Sequence, residues 1–216
     1  MTVEQYTGFA SVPLAGNTNT STTIDGRFPK EGWHSRGYLP HCEARNLQFI
    51  TFRLYDSVPK EVILKWKEQV AHESDFEQAN KLLRLLDQYE DAGKGSCYLK
   101  DERIAKLVQD ALLFHDGKRY KLLKWCIMPN HVHVLIEKFE GVTLSGILHS
   151  WRSFTSHKAN EILGRTGDFW MKDYFDRFIR DESHLNATIR YIENNPVKAG
   201  LANEPEDWPW SSACYR

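Results

Sequence analysis

The chain has 216 residues, of which 41% are hydrophobic and 12% aromatic, and its formal net charge is −1. This length and composition suit one globular domain with a proper core and exclude a largely disordered chain. The near-zero charge excludes a global basic signature of nucleic-acid binding, so any such binding must depend on a local surface.

The same composition limits the compartment and the covalent chemistry. The four cysteines are widely spaced, so we expect reduced thiols and neither a disulfide framework nor a zinc site. No basic segment followed by an apolar stretch opens the sequence, and no apolar run is long enough to cross a bilayer. We therefore expect a soluble cytoplasmic protein that has no membrane partner and no nucleotide cofactor.

In chain order, the first predicted region is a flexible tail, residues 1–34, which is rich in Thr, Asn, Ser and Gly. Residues 35–216 are expected to form one domain. Its predicted elements are a strand at 47–54, a helix that opens near Pro59, helices at 75–91 and 101–114, a strand at 120–127, a strand that contains 131–136, a helix at 143–163, an extended segment at 169–179 and a helix at 181–195.

This order of elements predicts the fold class. Strands and helices follow a split β-α-β pattern, which indicates an α+β fold with a ferredoxin-like or RRM-like antiparallel sheet. Helices are expected to pack on one face of that sheet, with further helices inserted between its elements. We expect Asp181 to cap the last helix and Pro196 to end it.

The strand near residue 131 contains two histidines, His131 and His133, within an apolar, β-branched run. Strand side chains alternate between faces, so both imidazoles point the same way while Val132 points into the core. Neighbouring imidazoles are a ready pair of metal ligands. A chain with nine histidines contains such a pair by chance roughly one time in three, so ordinary strand histidines remain the alternative.

The last predicted helix adds two polar residues. Tyr191 and Asn195 are four positions apart and lie one above the other, on a stripe that differs from the apolar stripe of Leu185, Ile189 and Ile192. Taken singly, Tyr191 is typical of a half-buried helix aromatic and Asn195 of a cap before proline. If this helix packs beside the histidine strand, however, all four polar groups converge.

Such a set has coherent chemistry. Two imidazoles (His131, His133) and the Asn195 amide oxygen suit Mg²⁺ or Mn²⁺ with open coordination positions. A bound ion of this kind polarises a phosphodiester, and a positioned phenol can then attack it. The pattern therefore predicts transesterification by Tyr191, with a covalent phosphotyrosine as the product.

Several segments together resemble one protein family. They are GYLPHCEARNLQFITFRL, the MPNHVHVL motif at 128–135, FWMKDYFDRFIRD at 169–181, YIENNPVKAGL at 191–201 and DWPWSS at 207–212, and they span about residues 37–215. The chain thus resembles the single-tyrosine His-hydrophobe-His (HUH) transposases, and within them the REP-associated tyrosine transposases.

The resemblance implies a specific activity. It implies that His131, His133 and Asn195 bind the divalent ion and that Tyr191 is the nucleophile. Members of the family cut single-stranded DNA at the foot of hairpins, form a 5′-phosphotyrosine and rejoin the strand to another 3′-hydroxyl. By this resemblance the partner is single-stranded hairpin DNA with a palindromic repeat, and the protein is associated with the nucleoid.

Possible DNA contacts and competing functions remain open. Trp151, Trp170 and Tyr174 either stack on unpaired bases or belong to the core. A non-cleaving hairpin-binding regulator and a hydrolase in which water attacks are the alternative functions. The sequence leaves open a monomer or a homodimer, and it identifies no general base for Tyr191. The candidate phosphate contacts, for which an ordinary solvated face is the alternative, are Arg152, Lys158, Lys172, Arg177, Arg180, Arg190 and Lys198.

Overall fold

A computed structural model describes residues 33–35, 40–42, 46–73 and 75–215. Of the predicted tail, residues 1–32 lie outside the described residues, whereas 33 and 34 belong to the first short strand. The strands are β1 (Trp33–Ser35), β2 (Pro40–Cys42), β3 (Leu47–Arg53), β4 (Tyr120–Ile127), β5 (His131–Lys138) and β6 (Phe175–Phe178). The α-helices are α1 (Lys60–Val70), α2 (Asp75–Asp91), α3 (Glu102–Phe114), α4 (Leu144–Leu163) and α5 (Glu182–Lys198).

Four strands form the main sheet, in the order β4-β5-β3-β6, and every neighbouring pair is antiparallel. This order is that of the split β-α-β pattern, because β5 lies between the two strands that the first crossover joins. Strands β1 and β2 form a separate two-stranded sheet. The predicted α+β class with an antiparallel sheet is therefore confirmed.

Helices α3 and α4 cover one face of the sheet. Alternate β-strand residues such as Ile50, Val132 and Val134 meet the apolar faces of these helices in the largest buried cluster. Two polar groups inside this core are paired: the Trp151 indole donates to the Tyr120 hydroxyl at 2.8 Å, and that hydroxyl donates to a main-chain carbonyl at 2.6 Å. A satisfied polar network of this kind fixes how α4 sits on the sheet.

The opposite face is also covered, by helices additional to α3 and α4. Helix α5 packs there through Ile192 against Leu135 and Cys126, and α2 contributes Leu86 beside Phe175. Residues 131–136 of the histidine strand are accordingly buried at both sets of alternating positions.

The ends of α5 confirm one prediction and correct another. The Asp181 side chain caps the helix by accepting a hydrogen bond from the His184 N–H at 2.8 Å, as predicted. Pro196, however, does not end the helix, which continues to Lys198. A proline in the last turn has a helical φ and removes only its own N–H, and the Asn195 carbonyl still accepts from Ala199 at 3.0 Å.

Two further expectations concern thiols and membranes. The cysteines whose side chains are described, Cys97, Cys126 and Cys214, are free, as predicted. Within the described ranges, every helix is too short or too polar to span a bilayer.

Candidate active site

The histidine pair lies in the middle of the molecule, on the face that α5 covers. His131 is 1% exposed and His133 is fully buried, and their Nε2 atoms are 3.0 Å apart. The Nδ1 atom of each ring has its own hydrogen-bond partner at 2.8 Å. The partner is the Asn130 side-chain oxygen for His131 and the Thr51 hydroxyl for His133. These two contacts orient the rings so that both Nε2 atoms face one point.

Asn195, on α5, brings its side-chain amide to the same point. Its Nδ2 atom is 3.1 Å from Nε2 of His133, and its Oδ1 atom is buried without a hydrogen-bond partner. In a six-coordinate site with bonds of about 2.1 Å, neighbouring ligand atoms are about 3 Å apart. The 3.0 Å spacing of the two Nε2 atoms fits two neighbouring ligands of one divalent ion. Rotation of the Asn195 amide by half a turn would bring its unpartnered oxygen to the position of Nδ2, as a third ligand. Within the described residues, no group of three or more His, Cys, Asp or Glu is placed to hold a metal.

Burial keeps both rings uncharged. It lowers the pKa of His131 to about 3, with smaller contributions from the nearby Arg53 and Lys198 charges. Burial, followed by His131 and Lys198, likewise lowers the pKa of His133 well below its usual value. Neutral imidazoles keep the lone pairs that a metal ion needs.

Tyr191 packs directly against this set. Its ring meets His133 edge-on with centroids 5.2 Å apart, and it meets Phe49 in the same way at 5.8 Å. The hydroxyl is buried and makes no hydrogen bond of normal geometry. Burial, together with the carboxylates of Asp87 and Asp91, raises the pKa of Tyr191 far above its usual range. The phenol is therefore neutral, and attack on phosphorus must be coupled to loss of its proton.

Helix α2 brings three carboxylates to the site, which the sequence analysis missed. Burial raises the pKa of Asp87 to about 6, although Tyr191 and Lys198 oppose this shift. Burial also raises the pKa of Glu90 to about 8, although Oε1 lies 3.5 Å from Nε of the equally buried Arg53. The spacing of positions 87, 90 and 91 places all three on one face of a helix. This spacing is the feature of the sequence that could have identified the carboxylates as a group.

The seven candidate phosphate contacts differ in their protein partners and in their exposure to solvent. Lys158 and Lys198 pair with Glu161 and Asp91, at 2.9 and 2.6 Å. The Arg152 guanidinium donates to the main-chain carbonyls of Met171 and Lys172. Arg177 aligns with Phe49 across the β3–β6 pair, so it lies on the histidine face. The candidate side chains that are exposed are Lys158, Lys172, Arg180, Arg190 and Lys198.

The aromatic candidates for base stacking belong to the core. Trp151, Trp170 and Tyr174 are 2%, 3% and 5% exposed. Rings buried to this degree cannot present a face to an unpaired base, so the core alternative holds for all three. His184, on the same helix as Tyr191, lies close to the charges of Arg177 and Arg180.

One family model matches the part of the chain that contains this site. Residues 99–195 match the model of the family described as "Transposase IS200 like". The matched segment contains both histidines, Tyr191 and Asn195. The part of the chain that carries these residues is therefore similar to the IS200-like class of transposases.

Within that class, the predicted resemblance to the REP-associated tyrosine transposases is confirmed. A Haemophilus influenzae protein provisionally given that name is 30% identical over 97 residues, covering 40% of this chain and 55% of that protein. The REP-associated tyrosine transposase of Escherichia coli K12 is 24% identical over 93 residues, covering 43% and 54%. The chain thus spans about half the length of these curated relatives.

A solved structure shares the fold. It is that of a REP-associated tyrosine transposase bound to a REP hairpin, and it aligns with a TM-score of 0.52 at 17% identity. The alignment covers 79% of this chain and 78% of that one.

Proposed function

We propose that the chain is a metal-dependent single-stranded DNA endonuclease and strand transferase, with Tyr191 as its nucleophile. One observation carries the proposal: the Tyr191 ring packs on His133, whose Nε2 atom also lies 3.0 Å from His131 and 3.1 Å from Asn195. A phenol, two neutral imidazoles and an unpartnered amide oxygen, buried together, are the parts that phosphodiester transfer requires.

In the proposed reaction the Tyr191 oxygen attacks a phosphorus atom as the phenol loses its proton. The bond from phosphorus to the 3′ oxygen breaks, and the departing oxygen takes up a proton to become a free 3′-hydroxyl. The product is a 5′-phosphotyrosine, and attack by another 3′-hydroxyl reverses the chemistry and releases Tyr191. An Mg²⁺ or Mn²⁺ ion bound by His131, His133 and Asn195 would neutralise charge on the non-bridging oxygens.

We propose a DNA hairpin or palindromic repeat as the substrate, cut at its foot. The fold shared with a transposase bound to a REP hairpin supports this choice. Exposed cations supply candidate contacts for the backbone, namely Lys158, Lys172, Arg180, Arg190 and Lys198, and Arg177 lies on the histidine face. Arg152 is a weaker candidate because its guanidinium donates to two main-chain carbonyls.

The test uses single-stranded hairpins from palindromes near the gene, with Mg²⁺ or Mn²⁺, on a denaturing gel. A 3′-labelled strand should give a covalent protein adduct, and a 5′-labelled strand should give a free fragment with a 3′-hydroxyl. Tyr191→Phe should abolish both products, while Tyr215→Phe, at a tyrosine that is 60% exposed, should leave them unchanged.

Two other outcomes would each replace the proposal. Tight hairpin binding without cleavage in either ion would identify a non-cleaving regulator. Cleavage that persists in Tyr191→Phe without an adduct would identify a hydrolase in which water attacks.

A further inference from the structure

The residues of the proposed active site are closed off from solvent. His131, His133 and Asn195 are 1%, 0% and 1% exposed, and the Tyr191 hydroxyl oxygen is buried without a hydrogen-bond partner. A nucleophile must come within about 3–3.5 Å of the atom it attacks, in line with the leaving group. A phosphodiester therefore cannot reach Tyr191 until the part of the protein that covers it moves.

The C-terminal part of α2 lies beside Tyr191: Leu86 belongs to the apolar cluster that Phe49 joins, and Phe49 contacts the Tyr191 ring. The carboxylates of Asp87, Glu90 and Asp91 all interact with Tyr191. None of them joins the histidines in a group that could hold a metal, within the part of the chain that is described. A phosphate that approached Tyr191 would meet the negative charge of Asp91, which opposes binding. This arrangement suits a closed site better than a site engaged with DNA.

Three contacts hold α2 in this position. Lys198 of α5 lies 2.6 Å from Asp91, and Arg53 of β3 lies 3.5 Å from Glu90. The Asn130 side chain also donates to the Glu90 carbonyl at 3.1 Å. Arg53 is aligned with His131 across the β3–β5 pair, and Nζ of Lys198 lies 6.0 Å from the centre of the Tyr191 ring, so both cations lie close to the proposed phosphate position. In the closed arrangement, Glu90 and Asp91 of α2 contact both of these cations.

On the basis of the proposed function, we propose that residues 82–91 form an acidic lid over the active site. DNA phosphates would displace Glu90 from Arg53 and Asp91 from Lys198, and the two cations would then bind the backbone. The Lys198 side chain is 54% exposed, so its pair with Asp91 is weak and sensitive to salt. A ligand that binds only the open state shifts the population toward it.

The first test needs no DNA. Tetranitromethane nitrates accessible tyrosines, and peptide mass spectrometry gives a rate for each one. Tyr191 should react much more slowly than Tyr215, which is 60% exposed, and Tyr55, which is 44% exposed. Asp91→Asn should accelerate nitration of Tyr191 by up to about fivefold, the value of one partly exposed ion pair. Asp110→Asn, which removes a carboxylate paired with Lys106 on α3, is the matched control and should have no effect.

Two results of this test would overturn the lid. The first is a wild-type Tyr191 that reacts as quickly as Tyr215, because the hydroxyl would then be accessible. The second is an Asp91→Asn variant whose Tyr191 rate equals that of the wild type.

The second test adds hairpin DNA. Hydrogen exchange of peptides from residues 82–95 should speed up when wild-type protein binds the DNA, and Asp91→Asn should bind it up to about fivefold more tightly. Weaker binding by Asp91→Asn would make the carboxylate part of the DNA site and would overturn the lid. Accelerated nitration without any DNA cleavage would keep the lid and remove the proposed function, so the two failures are distinguishable.

Discussion

The Thr51 hydroxyl lies 2.8 Å from Nδ1 of His133, across the β3–β5 pair in which these two residues are directly aligned. The neighbouring strand therefore fixes the ring of a proposed metal ligand. Thr51→Val keeps the shape of the side chain and removes the oxygen. We expect it to weaken Mn²⁺ binding by about tenfold, the usual effect of losing a partner that orients a ligand.

Calorimetric titration of Mn²⁺ measures this effect. Thr166→Val, at an exposed threonine after α4, is the control and should bind Mn²⁺ like the wild type. Equal affinity in Thr51→Val would show that the His133 orientation does not depend on this hydrogen bond.

Asn195 is the ligand whose identity is easiest to test. Asn195→Asp replaces the unpartnered amide oxygen with a carboxylate, which attracts a divalent ion more strongly. We expect this variant to bind Mn²⁺ more tightly than the wild type, and to have a lower melting temperature without metal because an unpaired charge is then buried. Melting curves with and without Mn²⁺ test both expectations.

Asn194 supplies the comparison for that variant. It is the exposed neighbour of Asn195 on α5, and its side chain donates to the Arg190 carbonyl. Asn194→Asp should shift the melting temperature little, with or without metal. If both variants respond to Mn²⁺ alike, Asn195 is not a ligand.

Glu90 predicts a pH dependence of stability. Its pKa is raised to about 8 in the fold from a usual value near 4.5, so the folded protein keeps a proton that the unfolded chain releases. The stabilisation is therefore fully present below pH 4.5 and is lost as the pH rises toward 8. Relative to Glu90→Gln, the wild-type free energy of unfolding should fall across this window, by at most about 1.4 kcal/mol per pH unit.

Urea denaturation at several pH values measures this difference. Glu102→Gln, at an exposed position in the first turn of α3, should track the wild type at every pH. A constant difference between the wild type and Glu90→Gln would mean that Glu90 is ionised in the folded protein across the window.

The sequence predicted the central parts of this fold because their periodicity was decisive. The alternation around His131 and His133 located β5, and the spacing of Tyr191 and Asn195 placed both on one stripe of α5. Their convergence followed once α5 packed on the histidine face, where Ile192 meets Leu135.

The position of α2 was not predictable in the same way. The bounds of the helix were expected, but amphipathicity shows only that a helix buries a face and not what that face covers. Asp87, Glu90 and Asp91 are typical of a solvated helix surface in the sequence. Only the fold shows that they lie beside Tyr191. The misplaced end of α5 at Pro196 has a related cause, because a local preference against helix is weak in a last turn that tertiary contacts hold.

The loop after α2 provides a last prediction, since it anchors this helix. Gly95 has φ +86°, and a Cβ there would lie 2.8 Å from the Asp56 carbonyl oxygen. The next residue, Ser96, donates from its backbone N–H to the Asp56 carboxylate at 3.0 Å. Gly95→Ala should therefore destabilise the fold by about 1–3 kcal/mol, through both backbone strain and the clash.

A substitution at Gly93 distinguishes the effect of backbone strain from that of the clash. Its φ is +64°, but a Cβ there meets nothing within 4 Å, so Gly93→Ala adds backbone strain without a clash. We expect it to cost only about 1 kcal/mol in urea denaturation. Equal losses in the two variants would mean that the close approach of Gly95 to Asp56 contributes nothing. A larger loss in Gly95→Ala, accompanied by faster nitration of Tyr191, would connect this anchor to the closed state of the active site.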